Sequence, residues 1–178
     1  TITEKVISDK KVETHDLIQL ALPTGPEKWY CYIGNLSVNR DKDRMVFAYK
    51  YYKKIIFMKL NGEVIRVIDF PNTPGYDEKT IGMHDGLDMN VSHYIEISTG
   101  NNYVYLSYSG RKPEDVKKEW ENGIYNQYLE QYDWDGNPVQ TYKLDKWGST
   151  TVDEKNGHIY LLSSAFDEPL FRFKIKNE

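Results

Sequence analysis

The stretch Gln131 to Asp145, "QYDWDGNPVQTYKLD", decides the fold. Its core, Asp133-Trp134-Asp135-Gly136-Asn137, has two readings: the acidic start of a calcium loop, or the turn of a β-hairpin. An EF-hand loop places oxygen ligands at positions 1, 3 and 5, a glycine at 6 and a glutamate at 12. Counted from Asp133, the glycine falls at position 4 and Leu144 at position 12, so the calcium reading fails. The hairpin reading needs only Asp-Gly between β-rich runs, which "EQYDW" and "NPVQTYKL" supply; a two-residue type I′ turn is the expected connection. The same shape recurs along the chain, and that recurrence sets the architecture.

Three segments carry one pattern. In "GNLSVNRDKDRMVFAYKYY", Leu36 and Val38 precede a polar turn, and Val46, Phe47 and Tyr49 follow it. "YIEISTGNNYVYLSYSG" repeats this with Ile95 and Ile97, then Val104, Tyr105 and Leu106; "STTVDEKNGHIYLLSSA" repeats it with Val152, then Ile159, Tyr160 and Leu161. A second hairpin follows each of the first two, with matching turns at Asn61-Gly62 and Asp135-Gly136, whereas the third ends on the single strand "PLFRFKI". Units of about 55 residues with four antiparallel strands describe β-propeller blades. The predicted fold is therefore all-β, one domain over residues 1–178, with about three blades at 33–71, 91–145 and 148–178. Residues 1–23 contain "VETHDLIQLALP", a run expected to complete the last blade and hide its edge. The segment "RKPEDVKKEWENGI" reads as a short helical insertion over 111–123, with Glu114 and Asp115 in the first turn after Pro113.

The segments "IFMKLNGEVI", "YVYLSYSG", "YDWDGNPVQTYKLD" and "TTVDEKNGHIYLLSS", spread from Ile33 to the C terminus, resemble the C-terminal half of the TolB-like six-bladed β-propeller family. That family comprises mostly uncharacterised secreted or lipid-anchored bacterial proteins. The resemblance implies an exported protein, periplasmic or at the cell surface, with a cytoplasmic location left open. It also implies that a second copy, in a homodimer, or an N-terminal half completes the six-bladed ring. These motifs build blades and say little about chemistry.

Composition narrows the function classes. With 39% hydrophobic and 14% aromatic residues, the chain of 178 residues supports one sizeable core. Its net charge of -4 provides no global basic field for nucleic acid. The single cysteine, Cys31, forms no intrachain disulfide, and no apolar run approaches the length of a membrane span. There is no G-x-S-x-G elbow, phosphate loop or H-E-x-x-H. Catalysis is not expected and no catalytic residue is assigned.

Strand parity locates a site. In an up-and-down meander alternate connections share one end, and here every long connection falls at the same end. Binding residues concentrate on such loops. The candidate ligand contacts there are Trp29, Tyr51, Tyr52, His84, Asp85, Asp88, His93, Arg111, Trp120 and Trp147. Aromatic rings of this kind stack on a sugar or receive a peptide or protein side chain. His84, Asp85, Asp88 and His93 are residue types that hold zinc, but their spacing fits no established motif, and Asp in a glycine-rich loop serves turns. No cofactor or metal is assigned. The expectation is a non-enzymatic binding or scaffold propeller for a carbohydrate, peptide or protein; the alternative is a metal-dependent hydrolase or lactonase of the six-bladed type.

Overall fold

The computed structural model describes residues 2–8, 11–18, 32–73, 83–84 and 87–175. β1 (Ile2–Ser8) and β2 (Lys11–Ile18) pair with each other as a hairpin. The strand expected to complete the last blade includes residues 19–23, which lie outside the described residues. A four-stranded antiparallel sheet follows, in the order β3 (Gly34–Asn39), β4 (Arg44–Tyr49), β5 (Lys54–Met58), β6 (Val64–Asp69). After the short pair β7 (Met83–His84) and β8 (Leu87–Asp88) comes a second four-stranded sheet. It contains β9 (Ser92–Thr99), β10 (Tyr103–Arg111), β11 (Gln127–Asp133) and β12 (Pro138–Leu144), again in chain order. The third sheet has three strands, β13 (Ser149–Asp153), β14 (His158–Leu162) and β15 (Leu170–Lys174). The helix α1 (Pro113–Glu121) joins β10 to β11.

The sheets are consecutive blades with their first strands innermost. Asn35 Nδ2 donates to Tyr94 O at 3.3 Å and Ser37 Oγ meets Thr99 Oγ1 at 3.0 Å, joining β3 to β9. Thr150 N donates to Glu96 Oε2 at 2.6 Å and Val152 N to Ser98 Oγ at 3.0 Å, joining β9 to β13. Middle strands packed on both faces read as continuous apolar runs, which is why "MVFAY" and "IIFM" show little alternation. Val46, Ala48, Ile55 and Phe57 pack toward Val104, Leu106 and Trp134 of the second sheet. Leu129, Leu144, Ile159 and Leu161 form the core between the second and third.

Pairing refines the repeat. Asn39 opposes Arg44 and Asp153 opposes His158, but Gly100 N donates to Tyr103 O at 2.9 Å, so the first turn of the second sheet is shorter. Aligned on these turns, Val46 corresponds to Tyr105, and Val38 opposes Met45. The hairpin turns also differ from the type I′ expectation. Lys59 N bonds Glu63 O while Gly62 N bonds Lys59 O, and Asp133 N bonds Asn137 O while Gly136 N bonds Asp133 O, so each loop has three residues. Only the glycines take positive φ there, 88° at Gly62 and 80° at Gly136. This is a type I turn followed by a left-handed glycine. The Asp133 carboxylate favours it by accepting from the N–H groups of Asp135 and Asn137, at 2.9 and 2.8 Å.

Candidate functional site

Strand order puts the turns 40–43, 101–102 and 154–157 at one end of the sheets, and the connections 112–126, 145–148 and 163–169 at the other. The site forms where α1, the end of β10, the segment before β13 and the 163–169 loop converge, between the second and third blades. In α1, Pro113, Val116, Lys117 and Trp120 follow helical i, i+3, i+4, i+7 spacing and line one cavity wall. At the helix end Ile124 N donates to Glu119 O and Gly123 N to Trp120 O, with Gly123 at φ 73°, which satisfies the last carbonyls.

Arg111 fastens this helix from below. Its guanidinium pairs with Glu119, donates to Asn126 O at 2.7 Å, and stacks 5.3 Å from the Trp147 ring centroid. Trp120 and Trp147 meet edge to face at 6.4 Å and 67°. Gly148 positions Trp147: a Cβ there would lie 2.2 Å from Leu162 O, so only glycine lets β13 approach β14 this closely. Gly148 N also donates to the buried Gln127 side chain at 2.9 Å. The ring wall continues through Tyr125, which contacts Trp120 at 6.2 Å and Phe166 at 4.8 Å.

Two spaces share Ile95, Trp120 and Trp147. The first, of about 300 Å³, lies beneath the helix, and its walls are mainly the apolar surfaces of those residues and Val116. The second, of about 580 Å³, opens beside it along Glu96, Ser149, Ser163 and Ser164. The Trp120 Nε1 and Arg111 Nε donors are buried with no hydrogen-bond partner among the described residues. The geometry combines an apolar hole, two indole walls and a polar strip.

Arg111, Trp120 and Trp147 therefore come together. Tyr51 and Asp88 form a second cluster: the Tyr51 hydroxyl donates to Asp88, and Lys50 Nζ lies 3.3 Å from the same carboxylate oxygen. Burial acts to raise the Asp88 pKa, but hydrogen bonds from Tyr51, Asn90 N–H and Lys50 outweigh it and hold the carboxyl below its ordinary value. The Tyr51 phenol is pushed up by burial and by the carboxylate. His93 is 1% exposed and stacks on Tyr108 at 6.0 Å. Tyr52 packs edge-on against Tyr49 at 6.2 Å. His84 pairs through its backbone with Leu87; Trp29 and Asp85 lie outside the described residues. No group of three His, Cys, Asp or Glu suited to a metal occurs among the described residues. The helical spacing of Val116, Lys117 and Trp120 was visible in the sequence; Ile95, Glu96, Ser149 and Ser163 reach the site only through blade packing.

A protein-family model described as TolB-like 6-blade propeller-like matches residues 28–155. Searches among curated proteins and among solved structures return no significant match.

Proposed function

Given that the chain belongs to the TolB-like six-bladed propeller-like family, we propose that it is a non-enzymatic binding propeller for a peptide or protein partner. The partner inserts an apolar side chain beneath α1. The observation that carries this reading is the cavity of about 300 Å³ walled by Trp120, Trp147, Ile95 and Val116. Fixed aromatic anchors around a dry pocket are the usual centre of a protein-recognition patch. The neighbouring strip of Glu96, Ser149 and Ser163 offers polar contacts for main chain outside the hole.

Export to the periplasm or cell surface is part of the proposal. Among the described residues no helix is long and apolar enough to cross a membrane. The hydrolase or lactonase reading needs ligands gathered around a cation, and no described cluster favours it.

Selection from a displayed random-peptide library tests the proposal. Enriched peptides are expected to share an aromatic or branched apolar anchor, and Trp120→Ala and Trp147→Ala should each weaken their binding by at least about tenfold. Peptides that bind both variants as well as the unaltered protein would refute it.

A further inference from the structure

The face that the second blade turns toward the third changes character along its length. Near α1 it is apolar, with Leu129 and Leu144 against Ile159 and Leu161. Toward the short turns it becomes a row of directly opposed residues, Tyr105, Gln131 and Gln140. The corresponding row of the first sheet is Val46, Phe57 and Arg66, in which Val46 and Phe57 pack with Tyr132 and Trp134 of the next blade. There the two buried members of the row are apolar and only the exposed Arg66 is polar. In the second sheet two amides and a phenol make the row polar, and the exposed Gln140 at its outer edge is the member open to a ligand.

That row floors an open groove of about 610 Å³, separate from the α1 cavity and at the opposite end of the blades. Tyr105 and Gln131 are 2% and 6% exposed. Tyr142 Oη donates to Gln131 Oε1 at 2.8 Å, and Gln131 Nε2 lies 3.5 Å from Tyr105 Oη, so the floor is held by its own bonds. Above it Gln140 and Asn102 are exposed, and the Tyr103 and Tyr142 rings are half-buried. The Tyr103 ring packs edge-on against the buried Tyr105, at 74° with centroids 6.4 Å apart, which fixes its orientation at the groove.

Ring faces beside planar amides match a sugar: its C–H face lies on a phenol, and each amide both donates to and accepts from neighbouring hydroxyls. Among the described residues no lysine or arginine lines the groove. Its carboxylate, Glu154, accepts from the N–H groups of Asn102 and Tyr103 at 2.9 and 2.8 Å, and its negative charge disfavours an anionic ligand. We propose that this groove binds a neutral oligosaccharide, at a site independent of the one under α1.

Saturation-transfer NMR with short linear gluco-, manno-, xylo- and galacto-oligosaccharides tests this directly. At least one series is expected to bind. Gln140→Ala, at an exposed position that leaves the fold intact, should weaken it by about tenfold, and Tyr142→Phe should weaken it by freeing Gln131. Trp120→Ala should leave it unchanged. Absence of binding by every series would overturn the proposal, as would binding that Gln140→Ala and Tyr142→Phe leave untouched. Loss on Trp120→Ala alone would place the sugar under α1 and overturn it too.

Discussion

Trp134 and Trp120 show one residue type serving two ends of the blade. Trp134 is 3% exposed, packs in the core between the first two sheets, and donates its indole N–H to Gly100 O at 3.2 Å. Trp134→Ala should therefore lose about 3–5 kcal/mol of stability, read from urea denaturation. Trp120 instead borders open space, and Trp120→Ala should shift the urea midpoint far less while removing peptide binding. Asp88 gives a pH dependence of defined sign. Its folded pKa is lowered, so the stability it contributes is present at neutral pH and is lost as pH falls below the ordinary aspartate value of 3.8. Asp88→Asn should remove that part of the acid transition, measured as the difference between urea midpoints at neutral and acid pH. The sequence picked out Asp88 by residue type alone; its partners Tyr51 and Lys50 sit far away in the chain, where no spacing rule links them.

At the scale of elements, a tight backbone approach lies where inner strands begin. Gly34 and Gly148 occupy the same place in the first and third sheets: a Cβ on either would lie 2.3 Å from Ala48 O or 2.2 Å from Leu162 O. Gly148→Ala should push β13 from β14, moving Trp147 with it. The expected result is a drop of at least about 1–3 kcal/mol, as for overpacked cores, together with weaker peptide binding. Unchanged stability would mean that β13 has more freedom than the geometry allows. Strand order and the position of α1 were legible because apolar periodicity and Pro113 are local signals. The turn type was not, because the choice between a two-residue and a three-residue loop depends on what the Asp133 carboxylate accepts. The repeat was legible as a recurrence of hairpins, but its register was not, because the first turn of the second sheet is shorter than those of the other two.

For the molecule as a whole, blades are joined by side chains reaching across short turns. Arg44 pairs with Asp135 at 3.0 Å, and Glu154 holds two N–H groups of the second blade. Leu36 and Val38 on the first sheet are 47% and 48% exposed, and Leu162 and Leu170 on the third are 58% and 65% exposed. In a six-bladed ring such faces are covered by neighbouring blades. We expect a second copy to cover them, giving a dimer mass by light scattering that Leu162→Arg reduces to the monomer's; a monomer at every concentration would count against it. The α1 site was half legible: Arg111, Trp120 and Trp147 stood out as residues on long connections, but the hole they enclose exists only once two blades meet.

The most direct test of the binding claim follows the indole N–H signals of the tryptophan-labelled protein during titration with a selected anchor peptide. The Trp120 and Trp147 signals are expected to shift together and saturably while Trp134, sealed in the blade core, stays fixed. Saturable binding that leaves Trp120 and Trp147 unmoved would contradict it.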